Sequence, residues 1–264
     1  MSMMPLGAFN RMHVPVDQSG LRLGGKPIRD YGLSLLLGGV EIDAASAVTD
    51  FVTVPGLSGS TNRTLMDESG HAHANRRSIV MHVATTGNEL DAWETKLAVG
   101  ALDGIETTLE WGVMEGHYEG FLTVGAWTDV YGHGGVYRYS TCDLTMLANP
   151  DLIGAARSFE LSTTSVRVFI RGNRPSPPGI TAIPPSGTVR LYITVGANQL
   201  VYNLSNPNGV KKLNVDCSAR RATFDGVEVF PTVESDYPTL APGLVDAQIS
   251  AGTATVVYQP HYRI

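Results

Sequence analysis

The sequence predicts a mainly β protein of two domains with one α-helix, and three observations carry that prediction. Glycine and proline are abundant, 29 and 15 residues of 264, which suits many tight turns and short strands but not long helices. Alternating apolar and polar residues recur along the chain, as in Arg77 to Ala84, the period of a strand with one buried face. A single segment, opening at Thr86-Gly87-Asn88-Glu89, joins a helix-start signal to apolar residues at helical spacing.

Taken in order, residues 1–28 hold Pro5, Pro15, Gly20, Gly24, Gly25 and Pro27 with little apolar period, and are expected to form an extended N-terminal arm. Tyr31 to Ile42 reads as one or two strands with a turn at Gly38-Gly39, and Phe51 to Val54 as a short strand. Residues 55–76 are a polar excursion. Structureless stretches of that length are uncommon inside a compact domain and are usually functional, so this one is a candidate for reaching a neighbouring subunit. Arg77 to Ala84 follows as a half-buried strand with Ile79, Met81 and Val83 on one side. Thr86 and Glu89 fit a capping box, each side chain satisfying a free backbone N–H at the helix start. Leu90, Trp93, Leu97 and Ala101 then recur at helical spacing, with Trp93 expected as a core anchor and Gly100 or Gly104 as the stop.

Strands return at Thr107–Trp111 and Tyr118–Trp127 around the turn Met114-Glu115-Gly116-His117. Val136–Leu147 comes next, after the glycine-rich turn Gly132-His133-Gly134-Gly135. Asn149-Pro150 is expected to end a first domain at 29–160, with residues 151–160 as the joint. Residues 161–264 read as wholly β: Val166–Arg171, Gly187–Val195, Leu200–Asn203, Lys212–Cys217, Arg221–Phe224, Val227–Pro231, Gln248–Ser250 and Ala254–Pro260. Ser186-Gly187, Asn208-Gly209, Asp225-Gly226 and Ala251-Gly252 are turn signals, Asp225-Gly226 being the strongest for a hairpin. This density of short strands predicts an antiparallel sandwich.

Composition narrows the function. A chain of this length buries enough surface to fold without disulfide or metal staples, and Cys142 and Cys217 read as two buried free thiols. The longest apolar stretch, Leu33 to Val40, is broken by Ser34, Gly38 and Gly39, well short of a membrane-spanning helix. Met1 to Asp17 lacks the pattern of a secretory signal, so the two sequons, at Asn62 and Asn203, are read as chance matches and folding in a cytoplasm is expected. Residues 1–160 carry ten Lys and Arg against nineteen Asp and Glu, a net of −9, whereas residues 161–264 carry nine against six, a net of +3. An acidic first half argues against phosphate binding there, and no specific nucleic-acid binding is expected.

Motifs for chemistry are sparse. His71-Ala72-His73 places two imidazoles on one side of an extended chain, but no cysteine or third histidine lies nearby, so no metal or cofactor site is expected. No G-x-S-x-G elbow, phosphate loop, H-E-x-x-H helix or G-x-G-x-x-G turn is present, and no carboxylate pair for glycoside hydrolysis stands out. No catalytic residue is named and the chain is read as a non-enzyme. A carbohydrate-binding module or adhesin using the second domain is the alternative; all three tryptophans fall in the first domain, leaving Tyr192, Tyr202 and Tyr258 to the second.

The last quarter holds Asn214-Val215-Asp216-Cys217, Phe224-Asp225-Gly226, Tyr237-Pro238-Thr239-Leu240-Ala241-Pro242-Gly243 and Pro260-His261-Tyr262-Arg263 in that order. Earlier come Val52-Thr53-Val54-Pro55-Gly56, the Trp93 helix and His117-Tyr118-Glu119-Gly120 followed by Trp127. In order and spacing this resembles the distal tail proteins of non-contractile, siphovirus-type bacteriophages, over nearly the whole chain. The resemblance implies a structural hub of a phage or prophage tail tip or baseplate, present in the virion and made in the bacterial host. It implies a homohexameric ring built by the first domain, the 55–76 excursion belting a neighbour, and a galectin-like sandwich at the periphery. The implied partners are the tail tube protein and the tail-associated adhesin or lysin, with receptor-binding proteins for host attachment in some relatives. Three departures are visible: Gly243 is followed by Leu244-Val245-Asp246 where the family often has asparagine, the N-terminal arm is long, and the second domain has no large insertion of the kind some relatives use to carry receptor-binding proteins.

Overall fold

The computed structural model describes residues 20–53, 58–67, 70–112, 114–205 and 211–264. The chain is mainly β and divides into two compact units, one of residues up to Leu152 together with Ile264, the other Ile153–Arg263.

In the first unit β1 (Leu21–Leu23) and β2 (Lys26–Pro27) form a hairpin, and a 3-10 turn at Ile28–Tyr31 leads into β3 (Leu33–Ile42). Two short strands, β4 (Phe51–Thr53) and β5 (Ser60–Asn62), precede β6 (Arg77–Thr85) and the helix α1 (Glu89–Gly100). The unit continues through β7 (Glu106–Trp111), β8 (His117–Val124), β9 (Thr128–Tyr131) and β10 (Tyr137–Ala148), up to β11 (Leu152–Ile153) at its boundary. The sheet order is β2-β1-β7-β8-β10-β6-β3, with β9 also paired to β10. Alternation decides which side is buried: Ile79, Met81 and Val83 of β6 face inward with Cys142, Leu144 and Met146 of β10. Each such aliphatic side chain contributes about 1.5–3 kcal/mol by leaving water.

The second unit is a sandwich. Its strands are β12 (Arg157–Leu161), β13 (Val166–Ile170), β14 (Gly179–Ile183), β15 (Arg190–Val195), β16 (Asn198–Asn203), β17 (Leu213–Asp216), β18 (Arg221–Phe224), β19 (Val227–Val229), β20 (Gly243–Ile249) and β21 (Thr253–Tyr258). Six of them form the sheet β12-β21-β14-β17-β18-β19, four the sheet β13-β20-β15-β16. One contiguous core lies between them, including Ile180, Ile193, Tyr202, Leu213, Leu240 and Val256. The expected Asp225-Gly226 hairpin is present: Phe224 pairs with Val227, and φ is positive at both Asp225 and Gly226 (54° and 82°), the conformation of a type I′ turn.

Several expectations are corrected. Of the expected arm, residues 1–19 lie outside the described residues, but residues 21–27 are a hairpin on the sheet edge, where Leu21 and Leu23 are fully buried and pair with Trp111 and Leu109 of β7. Inside the expected joint at 151–160 runs most of β12, an edge strand of the sandwich. β14 has no counterpart in the sequence reading because prolines 177, 178, 184 and 185 flank it. They stop just outside the strand, so its own N–H groups remain free for pairing with β17 and β21. The Gly38-Gly39 turn is an irregularity within one strand: β3 pairs with β6 at Leu35↔Val83 and again at Val40↔Met81, with φ of 107° at Gly38 and 59° at Gly39 between them. Asn208-Gly209 falls outside the described residues.

Candidate assembly site

The polar excursion is not irregular where it is described. Beyond the β3–β6 pair the two chains stay together as a ribbon. Asp43 N–H donates to Ser78 O, Asn75 N–H to Ser46 O, Val48 N–H to His73 O and Arg63 N–H to Asp50 O, at 2.7–3.0 Å. β4 and β5 then pair at Phe51↔Asn62, Val52↔Thr61 and Thr53↔Ser60. A side branch closes at Met66↔Ala72. From Asp43 to Thr53 the ribbon spans roughly 35 Å at ~3.3 Å per residue. Its described large apolar side chains lie in water: Phe51 is 58 % exposed, Leu65 77 % and Met66 53 %. Residues 54–57, including the Pro55-Gly56 turn, lie outside the described residues.

His71 and His73 sit on this ribbon, both exposed, His71 Nδ1 lying 3.6 Å from Asp67 Oδ1. Among the described residues no group of three or more His, Cys, Asp or Glu is placed to hold a metal.

At the other end of β6 stands α1. Its N-cap is Asn88, not Thr86. Asn88 Oδ1 accepts from Leu90 N–H and Asp91 N–H at 2.9 and 3.1 Å, and Asp91 Oδ2 accepts from Asn88 N–H at 2.9 Å, closing a capping box. Thr86 instead donates its hydroxyl to Gly32 O. The helix faces are the reverse of the expectation: Ala92, Thr95 and Val99 are buried, while Leu90, Trp93 and Leu97 point outward, 66, 59 and 59 % exposed. The cause is close packing. A Cβ at Gly32 would lie 2.3 Å from Thr95 Oγ1, so only small side chains fit at the contact and the bulky ones are left outside. Trp93 is not a core anchor.

A polar network holds the helix in place. Lys96 Nζ donates to Asp129 Oδ1 at 2.5 Å and Ser140 Oγ donates to the same oxygen at 2.6 Å. Tyr137 OH lies 2.8 Å from Ser140 Oγ and 2.9 Å from Thr85 Oγ1, which accepts from Ser140 N–H. The hydrogen bonds from Lys96 and Ser140 hold the Asp129 carboxyl below its ordinary pKa. Between Trp93, Leu90, Lys96, Asp129 and Tyr137 lies a groove of about 540 Å³.

The motif residues of the sequence are structural. Tyr118 is fully buried, its OH accepting from Arg77 Nη1 at 2.8 Å; Arg77 Nη2 donates to the carbonyl of Ile264 at 2.7 Å. Gly120 has no room for a side chain, since a Cβ would lie 2.4 Å from Leu147 O on β10. Asp216 Oδ1 accepts from Ala219 N–H, shaping the turn before β18. Leu240 is buried and exchanges backbone hydrogen bonds with Ser176 at 2.8 and 3.0 Å. Asn173 exchanges side-chain bonds with the backbone of Arg263 at 2.7 and 2.9 Å. Cys142 and Cys217 are free and buried, and burial raises their thiols to about 11 and about 12.

Residues 171–262 match the family model described as the siphovirus-type tail component, C-terminal domain. Among solved structures, the SPP1 Dit protein, titled a paradigm of the hub adsorption apparatus in phages infecting Gram-positive bacteria, superposes with a TM-score of 0.70. It does so at 14 % identity, covering 92 % of this chain and 98 % of that one. A chain of the phage P2 baseplate in its activated conformation with Ca covers 84 % of this chain and 91 % of its own length at 10 % identity, with a TM-score of 0.40, too loose to argue from. No curated protein sequence matches. Residues 171–262 thus carry the C-terminal domain of the siphovirus-type tail components, and the chain is Dit-like in fold.

Proposed function

We propose that this chain is a structural hub protein of a non-contractile phage or prophage tail tip. In this reading the first unit builds a homohexameric ring, the ribbon reaches a neighbouring copy, and the sandwich lies at the periphery as a galectin-like domain. The ring joins the tail tube to the tail-associated adhesin or lysin and lets DNA pass, with receptor-binding proteins for host attachment as a further partner. The observation that carries the reading is a tail-component family match on residues 171–262 together with a fold shared with SPP1 Dit along nearly both chains. The ribbon adds physical support, because an exposed two-stranded ribbon is marginal alone and gains stability from a surface that covers it. Closed rings use heterologous contacts, one patch meeting a different patch on the next copy.

The test is the solution mass of the full chain by light scattering, with negative-stain images of the same peak. A six-subunit mass with a central hole supports the reading; a monomer at every concentration, alone and with the tail-tube protein, overturns it. The net charge of −9 on residues 1–160 further predicts an acidic ring lumen that repels phosphate during DNA passage. A continuous Lys- and Arg-lined channel in the assembled ring contradicts that prediction.

A second reading rests on a groove of about 360 Å³ on the outward face of the six-stranded sheet. There Gly179 leaves a gap between Asp216 and Val257, flanked by Thr181, Asn214, Arg221 and Thr223. A mainly apolar gap edged by hydrogen-bonding side chains suits a saccharide, but its lining has no aromatic ring to stack on a sugar, which ranks this reading second. Binding on a glycan array that Asp216→Ala abolishes supports it; uniform silence removes it.

A further inference from the structure

The residue that faces the irregular stretch of β3 is a histidine held between two carboxylates. β3 and β6 are in register at Leu35↔Val83 and again at Val40↔Met81, so Leu36 to Gly39 of β3 all stand opposite the single residue His82 of β6. An insertion of this kind leaves residues unpaired and disrupts the ladder locally. Beyond it the second half of β3 is held to β6 by Val40↔Met81, Glu41↔Val80 and Ile42↔Ile79. That short segment leads directly into the ribbon, where Asp43 N–H donates to Ser78 O.

Side chains bridge the gap in the ladder. On one flank of β6, Asp143 of β10 is the direct cross-strand partner of His82, and its Oδ1 lies 2.7 Å from His82 Nδ1. On the other flank, beyond the insertion, Glu41 Oε1 lies 3.6 Å from His82 Nε2. One imidazole thus ties β10, β6 and the second half of β3 together. Among the described residues, Asp143 from β10 and Glu41 from β3 are the charged groups that face the ring. From the insertion itself Gly38 approaches it, a Cβ there standing 3.8 Å from Cδ2.

The number of protons on the ring decides how many strands it can hold. Imidazolium has two N–H donors and serves both carboxylates, whereas neutral imidazole has one. A carboxylate accepts, so the short bond to Asp143 keeps the proton on Nδ1. Nε2 then turns a lone pair toward the Glu41 carboxylate, and the link lost on deprotonation is the one that crosses to β3. Both carboxylates are largely exposed, so the Glu41 link changes an opening equilibrium by a factor of about two to five. Such a factor is felt where opening is already easy, at a strand end beside a break in its ladder.

We propose that His82 is a pH-operated clasp on the root of the ribbon: protonated, it fastens Val40–Ile42 to β6 through Glu41, and on losing its proton it lets that segment open more often. The clasp acts within one chain and does not depend on assembly.

The test is amide hydrogen exchange of the full chain, kept dilute enough that copies stay apart, with protection of residues 40–43 corrected for the intrinsic exchange rate at each pH. From about pH 6 to about pH 9, which spans the titration of a histidine raised above its ordinary value, protection of this segment is expected to fall two- to fivefold. Residues 221–224 of β18 serve as the reference and are expected to stay constant. Glu41→Gln keeps the side-chain length and removes the charge; it is expected to show the lowered protection already at the acid end and to abolish the pH dependence. Asp143→Asn is expected to shift the midpoint to lower pH. Protection at 40–43 that ignores pH, or that changes equally in Glu41→Gln, overturns the clasp. A parallel loss at β18 shows opening of the whole chain and overturns it as well. None of these outcomes bears on the ring, which the solution mass decides.

Discussion

The ribbon at 43–76 and the hairpin of β18 and β19 are both antiparallel pairs, yet only one of them is stabilised within the chain. In the hairpin, Ala222 and Phe224 face the sandwich core, 2 and 7 % exposed, and a two-residue turn fixes the register. In the ribbon the backbone hydrogen bonds are as regular, but the apolar side chains face water. Hydrogen bonds exchanged with water add only about 0.5–1.5 kcal/mol net each, against a backbone entropy cost of about 1–2 kcal/mol per residue. The pairing pattern is therefore the same in both, and burial decides which of them is stable without help. Within its own fold the ribbon leaves Phe51, Leu65 and Met66 uncovered.

The largest expected difference tests this contrast directly. Ile193→Ala in the sandwich core, where Ile193 is 1 % exposed, is expected to cost about 2–5 kcal/mol through lost burial and a cavity. Phe51→Ala on the ribbon is expected to change the dissociated chain by less than about 0.5 kcal/mol. Urea unfolding of both variants measures it, and equal losses would break the comparison. Next in size is the sheet that carries the ribbon. Gly120→Ala forces a Cβ to within 2.4 Å of Leu147 O and is expected to cost about 1–3 kcal/mol, read as a lowered urea midpoint. Smaller again is the cap of the helix. Asn88→Ala removes the acceptor for two backbone donors and is expected to cost about 1 kcal/mol, with loss of helical circular dichroism before global unfolding.

The smallest effect is a pH dependence near the ribbon root. His82 Nδ1 lies 2.7 Å from Asp143 Oδ1, with Glu41 at 3.6 Å from the other ring nitrogen. The hydrogen bond to Asp143 is the main cause that raises its pKa above the ordinary histidine value. A raised folded pKa means this stabilisation is fully present below the unfolded value near 6.5 and is lost as pH rises through the folded value. His82→Gln is expected to flatten the slope of stability against pH just above the ordinary histidine value near 6.5 and to leave it unchanged below pH 5.

What the sequence made legible follows the same division. Segments whose burial repeats every second residue were readable: Arg77 to Ala84 and Val166 to Arg171 needed only their own alternation, and Asp225-Gly226 needed only the positive φ it demands. β14 was hidden because a five-residue strand framed by four prolines looks like a loop until its neighbours are known. The helix existed in the sequence but its orientation did not. Leu90, Trp93 and Leu97 have the spacing of a core face, and only the close approach of Gly32 to Thr95 turns the small side inward. That inversion leaves an apolar helix face exposed, and no local pattern contains it. The ribbon was legible as an unusual polar length and not as paired strands, since Ala47, Ala74 and the residues between them carry no strong alternation.

The central claim is that the ribbon serves assembly and not the fold of the chain. Replacing residues 47–74 by a two-residue turn and comparing the mass and melting temperature of this chain with the intact one tests it most directly. The expected result is loss of the ring to monomers with a melting temperature of the dissociated chain within about 2 °C of the original, as small surface changes allow. Rings that persist without the ribbon, or a shortened chain that fails to fold, would contradict the claim.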